Sequence, residues 1–422
     1  MKKLLCYTAL GAVIMCSQAN AAGFHLKEQS AAAQGNAFAG ATAGAEDISY
    51  SFFNPAGLTR HKGTKTSFGG TYIAPRAKAK TATGTNNYNP PNPNTQTDYV
   101  GNIVHPAVSP YFYFSHQLNN KWTAAVSMNT PYGMITSYDS DWAGRFHGTK
   151  SDIKTLTLTP MMAYKANDKL SFGAGFQMQY VKAKLSNAQI IQGVGEDAVK
   201  LQGDTFDIGY TLGAMYEYSD KTRFGVGYRS QIKHKLKGDI AFDKATFMNQ
   251  DITARLTTPA SLTFGAYHDI NDQWSVMAEI GRVYWSSFDE LRIKGTKNIG
   301  GTTLNSVTEE KWKDTTSYAI GASYRVNDQW KLRAGFAIDS GAVGDEYRTP
   351  RIPEADRYWY SGGVEYGINE KTTLNVGYTY IRAEKGKVDL KGNHPGDEYR
   401  GSIKAKYEND VHILAVGFNY NF

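Results

Sequence analysis

Asp141, His147 and Ser151 lie close together and are the three residue types of a hydrolytic triad. A triad, however, is a geometry: the base must reach the nucleophile and the carboxylate must orient the base. Proximity within one polar connection does not supply that. No Gly-rich phosphate loop follows a strand, and neither HExxH nor CxxC occurs. The nine histidines are scattered without metal-ligand spacing. Both cysteines, Cys6 and Cys16, fall near the start, so the rest of the chain has no thiol and no disulfide. The expectation is no catalytic residue, no metal and no cofactor. An esterase would need a nucleophile constellation that is not visible.

The chemistry that remains is apolar binding. Tyr 28, Phe 19, Trp 7 and Gly 42, with only 20% charged residues, suit a β-barrel carrying aromatic girdles. The net charge is +7, or +5 once Lys2 and Lys3 are set aside, and acidic residues are interspersed. No dense Lys/Arg block with interleaved aromatics is present, so nucleic acid is not an expected partner.

The elements that would position a binding site begin after a leader. Lys2-Lys3 form a basic start, Leu4 to Met15 an apolar core, and Ala19-Asn20-Ala21 a small-x-small cleavage site. The leader is expected over 1–21, with Ala22 as the mature start. Met15 before Cys16 does not fit a lipoprotein. Beyond Ala22 there is no apolar run of the ~20 residues that a membrane helix needs. A membrane-spanning reading therefore requires a closed barrel, because an open sheet leaves backbone groups unpaired in hydrocarbon.

Strands begin near Lys65. Leu170, Phe172, Ala174, Phe176, Met178 and Tyr180 share one face; Ser171, Gly173, Gly175, Gln177 and Gln179 share the other. The same alternation recurs from Phe206 and from Trp330. One apolar and one small or polar face is the pattern of an outer-membrane strand. Six short Asn/Asp-rich turns, near 118–122, 165–170, 218–224, 270–274, 326–330 and 368–374, alternate with seven longer connections. The long ones lie around 76–98, 138–152, 186–204, 238–250, 294–306, 340–355 and 385–402. Thirteen connections give fourteen strands. The expected fold is all-β, a 14-stranded antiparallel transmembrane β-barrel over 63–422. Residues 22–62, rich in Ala, Gly and Ser and without period-two patterning, are expected as an N-terminal plug, or hatch, inside the lumen.

Gly23 to Gly40 (GFHLKEQSAAAQGNAFAG), followed by Phe52-Phe53-Asn54-Pro55-Ala56-Gly57-Leu58, resembles the start of the FadL-type outer-membrane transporters of long-chain fatty acids and other hydrophobic compounds. Ile352-Pro353-x-x-Asp356-Arg357 and Trp285-Ser286-Ser287-Phe288 resemble two further family segments. The likeness covers essentially the whole mature chain. It implies that Asn54, Pro55 and Ala56 seat the plug on the wall. It implies that Phe24, otherwise part of a frayed terminus, and Phe288 line a buried apolar pocket, with Arg292 where the family carries a Lys that meets a ligand carboxylate. A rim Arg without a ligand is the alternative. A second family cation aligns on Asn187, a departure: either Lys182 or Lys184 substitutes, or the ligand is not a carboxylate.

Pro131 and Gly133 fall inside the third strand. Pro cannot donate to the ladder and Gly weakens it, so a bulge or kink is expected. In the family such a kink opens the wall sideways. Ile190, Ile191 and Val194 in one long connection, and Phe242, Phe247 and Met248 in the next, are apolar where a general porin would be polar. They form either a capture groove, as the resemblance implies, or a contact between loops. His412 to Phe422 resembles the terminal signal read by the barrel assembly machinery.

The expected function is passive uptake of long-chain fatty acids or other hydrophobic compounds across the outer membrane of a Gram-negative bacterium. The protein would be a monomer, surrounded by outer-membrane lipid and lipopolysaccharide, with a hydrophobic small molecule as ligand. A nonspecific porin, or a surface adhesin or receptor barrel, is the alternative.

Overall fold

A computed structural model describes residues 23–86 and 95–422. The leader over 1–21, Ala22, and the 87–94 part of the first long connection lie outside the described residues.

Fourteen staves close into one antiparallel barrel. Seven of them are interrupted, so the sheet contains 21 strand segments. The first stave is β1 (Thr64–Gly84), the second β2 (Thr95–Thr97) with β3 (Ala107–Gln117), and the third β4 (Trp122–Asn129) with β5 (Gly133–Ser137). Next come β6 (Lys150–Lys165), β7 (Leu170–Ile191) and β8 (Gly195–Glu217), each unbroken. The seventh stave is β9 (Thr222–Arg229) with β10 (Ile232–Phe242), and the eighth β11 (Gln250–Thr258) with β12 (Ser261–Asp269). The ninth is β13 (Trp274–Val283) with β14 (Glu290–Ile299), and the tenth β15 (Thr302–Glu309) with β16 (Thr315–Arg325). The last four are β17 (Trp330–Asp339), β18 (Arg357–Asn369), β19 (Thr372–Ala383) with β20 (Gly386–Leu390), and β21 (Ile403–Asn421). The seam pairs β1 with β21, from Lys65 opposite Asn421 to Gly84 opposite Ile403. Closure removes the sheet edges that hydrocarbon would not tolerate.

The short turns fold as their Asn residues dictate. Asn119, Asn167, Asn271 and Asn327 each accept from the backbone N–H groups two and three residues on, at 2.8–3.0 Å. Beside them, cross-strand pairs Trp122–Tyr164, Trp274–Tyr324 and Trp330–Tyr366, with centroids 4.5–4.7 Å apart, form an aromatic girdle. Above it, Phe172, Phe176, Phe206 and Ile208 face outward and are exposed.

The opposite end departs from the expected loops. Residues 186–204 continue β7 and β8 almost to their tip, and 294–306 continue β14 and β15 around Gly300-Gly301. The reason is visible in β8: Val199 faces in and Lys200 out, so the alternation persists although the residues become polar.

Residues 24–61 make contacts around the inside of this wall. Helix Ala31–Gly35 is capped by Ser30, whose Oγ accepts from Ala33 N. A 3-10 turn, Ile48–Phe52, is capped by Asp47, and another, Pro55–Arg60, by Asn54. Close approach needs a wall without side chains. A Cβ at Gly213 would lie 2.0 Å from Asn54 Oδ1, at Gly225 2.1 Å from Thr42 O, and at Gly335 2.1 Å from Asn36 O. Part of the high glycine content is thus an inner surface stripped to receive backbone.

Candidate functional site: the Phe24 pocket and the third-stave break

Phe24 is 0% exposed. Its ring stands 5.0 Å from Trp285, 5.7 Å from Phe288, 5.9 Å from Tyr132 and 6.2 Å from Trp312, in tilted and edge-on arrangements. Met134, Ile153, Val181, Leu236 and Leu256 continue the same buried cluster. These walls come from interruptions: Tyr132 from the third stave, Trp285 and Phe288 from the ninth, Trp312 from the tenth. Gly23 has φ +64°, and a Cβ there would lie 2.2 Å from the Trp312 ring, so only glycine fits. Glu310 edges the pocket and accepts from Trp312 Nε1 at 3.2 Å.

The same stretch fills the break in the third stave. β4 ends at Asn129 and β5 starts at Gly133, around Pro131. Pairing with the second stave stops at Phe112–Met128 and returns only as a single bridge, Val104–Thr136. Into this interval His25 forms an antiparallel bridge with Tyr132. Leu26 N donates to Pro131 O at 2.8 Å, and Gly133 N to Phe24 O at 2.9 Å. The Gln29 amide acts as a substitute peptide: its oxygen accepts from Thr130 N at 3.2 Å and its nitrogen donates to Thr130 O at 3.1 Å. Buried backbone groups left unpaired by the proline are thereby satisfied.

Two cavities adjoin the pocket. An outer groove of about 310 Å³ is lined by Leu185, Leu201, Leu236, Ile252, Ala254 and Ile293. Leu236 also belongs to the Phe24 cluster. On the other side a space of about 770 Å³ lies between residues 25–53 and the wall, and shares Val283 with that cluster.

Both expected cations stand elsewhere. Val181 faces the interior, so its neighbour Lys182 faces out, and Lys182 is exposed. Ile293 is buried, so Arg292 points away; it pairs with Glu290 at 2.6 Å and is one-third exposed. The expectation of a partly dry pocket around Arg292 is corrected: alternation turns that side chain to the outside. Of the outer apolar residues, Phe242 is buried beside Val199, Ile240 and Ile252, with Ile191 and Met248 packed against them. Val194 and Phe247 are exposed, and Ile190 is half-buried. Asn54 Nδ2 donates to Thr42 O at 2.8 Å and to Ala214 O at 2.9 Å, tying two turns of the segment to β8; Pro55 opens the last turn and Ala56 is fully buried. Asp356 accepts from Gly341 N, while Arg357 reaches Asp339 at 3.5 Å. Asp141, His147 and Ser151 are not joined to one another: His147 faces Gly401 O and Ser151 meets Arg351. Among the described residues no His, Cys, Asp and Glu group has metal-holding geometry. Gln29, Tyr132 and Trp312 were not singled out from the sequence. Their partners lie far along the chain, about 100 residues for Gln29 and Thr130.

A closed barrel with an outward apolar belt, an aromatic girdle and a dry internal pocket defines an outer-membrane barrel for hydrophobic compounds. Comparison with known proteins narrows the class. The family model described as outer membrane protein transport protein (OMPP1/FadL/TodX) matches residues 12–422, and the chain belongs to that family. It is a transporter rather than an enzyme, and it resides in the outer membrane. A long-chain fatty acid transport protein of Escherichia coli O6:H1 is 28% identical, over 98% of this chain and 97% of the relative. Among solved structures, a Pseudomonas aeruginosa FadL homologue superposes with TM-score 0.86 at 24% identity, covering 95% of this chain and 100% of that one. The Pseudomonas putida toluene transporter TodX superposes at 0.70 with 18% identity, covering 95% and 100%. These last two likenesses concern the fold.

Proposed function

We propose that the protein takes up long-chain fatty acids, or other hydrophobic molecules of similar apolar reach, by passive diffusion through a gated wall. The observation that carries the reading is that one stretch, Phe24 to Gln29, both fills the aromatic pocket and completes the broken third stave. A ligand entering the pocket competes with Phe24, and withdrawal of Phe24 removes the strand pairing that closes the wall.

Each buried methylene contributes ~0.8 kcal/mol, so a long acyl chain binds a dry pocket by several kcal/mol after ordering costs. Without an energy source, release needs a step that weakens the site. In this reading the outer groove captures the molecule, the Phe24 pocket holds it, and undocking of residues 24–29 opens the break around Pro131 and Gly133. Asn54-Pro55-Ala56 anchors the remainder of the hatch to the wall, so that only its first residues move. The similarity to a long-chain fatty acid transport protein supports acyl ligands; the fold of the toluene transporter leaves small aromatics as the competing class.

The test is saturable binding of labelled oleate to the purified full chain, beside Phe24→Ala and a deletion of 22–26. Weaker retention in either variant, with the barrel intact, is expected. Equal binding in all three would overturn the pocket assignment. Liposomes carrying the protein should stay nearly impermeable to small polar solutes; rapid swelling would favour the porin reading instead.

A further inference from the structure

The space between residues 25–53 and the wall, behind the Phe24 pocket, carries a cation with no acidic partner. Arg229 is the last residue of β9 and shares the inward parity of Gly225 and Gly227. Its Nη1 donates to Phe52 O at 3.2 Å, its Nη2 to Gln177 Oε1 at 2.5 Å, and its guanidinium lies 4.2 Å from the centre of the Phe52 ring. All three partners are neutral. A guanidinium has five N–H donors, and those bonds use two. No carboxylate among the described residues lies within ion-pair distance of it. A charge removed from bulk water without a counter-ion is costly, and a bidentate carboxylate is the geometry that offsets it best.

The other charges around the cavity are committed elsewhere. Asp339 lies 3.5 Å from Arg357 and 3.9 Å from Lys27. Lys27 donates to Ser317 Oγ at 3.1 Å. Glu279 accepts from both the N–H and the hydroxyl of Thr42. His25, Ser261 and Thr263 add neutral polar groups, and Phe38, Phe52, Phe53, Val283, Ala319 and Trp359 supply the apolar lining.

We propose that this cavity is a second, inner ligand site that reads a carboxylate through Arg229, with the acyl tail lying along Phe38, Phe53 and Trp359. The proposal rests on the acyl-ligand reading above and adds what that reading lacks. Arg292 and Lys182 stand on the outer face, and Arg229 supplies the inward cation. A molecule leaving the aromatic pocket past Val283 enters this space head first or tail first, and only an acid is held there by its head.

The experiment compares oleate, oleyl alcohol and oleylamine binding to the full chain held in amphipol. Arg229→Met should weaken oleate at least tenfold while oleyl alcohol changes less than twofold. Arg229→Lys should restore most of the oleate affinity, and wild type should bind the amine worst. Because Arg229 also steadies Phe52, a second variant leaves the guanidinium alone: Ala319→Phe fills the tail space and should weaken acid and alcohol together. Acid and alcohol moving in parallel in Arg229→Met, oleate unchanged there, or a preference for the amine would overturn the inner site. If wild type bound oleate but Arg229→Met did not discriminate, only this inference would fall. If wild type bound neither acid nor alcohol, the acyl-ligand reading would fall with it.

Discussion

The third and seventh staves are both broken, and they are mended in different ways. In the seventh, the chain leaves β9 at Arg229 and resumes as β10 at Ile232. Ser230 N donates to Tyr210 O at 2.9 Å and Ser230 Oγ accepts from Tyr210 N at 2.9 Å, so the wall repairs itself with its own side chain. In the third stave the missing partners come from residues 24–29, which belong to no stave. A break closed from within the wall is fixed for as long as the barrel is folded. A break closed by a separate segment opens whenever that segment leaves, at the cost of its docking alone. The local defect is the same; what differs is whether the patch belongs to the wall.

The strongest way to break the comparison is Phe24→Ala. Removing a buried aromatic costs about 3 kcal/mol, roughly a hundredfold in the docking equilibrium. The amides of Leu26 and Gly133 should then exchange hydrogen roughly a hundredfold faster, while those of Tyr210 and Ser230 keep their protection. Equal acceleration at both breaks would show general loosening rather than a movable patch.

Proton activity sharpens the contrast. Burial pushes the Glu28 carboxyl from its ordinary 4.5 up to about 7, and pushes the His25 imidazole from 6.5 down to about 3, with Lys27 adding to the latter. A raised acid favours docking at low pH: its contribution is complete below 4.5 and is lost as pH rises through about 7. A lowered imidazole does the opposite: its contribution is complete above 6.5 and is lost as pH falls toward 3. Between 4.5 and 6.5 the two slopes, each about 1.4 kcal/mol per pH unit, oppose one another. Docking of the intact segment should be nearly flat there. Glu28→Gln should make it tighten as pH rises, and His25→Phe should make it weaken. Amide exchange of Gly133 against pH measures both; a single variant with an unchanged profile would refute the pairing.

Smaller effects separate the two patches directly. Gln29→Ala leaves the Thr130 peptide unpaired in a buried place, a loss of about 2 kcal/mol, and should accelerate uptake as well as exchange at the third stave. Ser230→Ala removes one hydrogen bond, about 1 kcal/mol, and should alter neither uptake nor the third stave.

The wall was largely readable from the sequence because each device is local. Alternation assigns Phe172 and Phe176 to lipid and Gln177 and Gln179 to the interior, and Asn119, Asn167, Asn271 and Asn327 announce the turns. The outer hairpins were mistaken for loops because polarity changed there while the period did not. The two cations could have been placed by the same parity rule: Val181 inward puts Lys182 outward, and Ile293 inward puts Arg292 outward. Arg229 was open to that rule too, as a charge following inward Gly225 and Gly227. Gln29, Tyr132 and Trp312 obey no local rule. They meet because a ring of staves brings distant residues together, and only the closed barrel reveals it.

Gln34 donates to the carbonyls of Gly377 and Ile413, 343 and 379 residues further along the chain. The segment around Gln34 therefore precedes these partners in the chain and receives them only when the final staves are in place. Contacts of such sequence separation form late. The first residues of the chain are thus fixed by its last staves, and the contacts that hold Gln34 belong to the same closing step that joins the two ends of the wall.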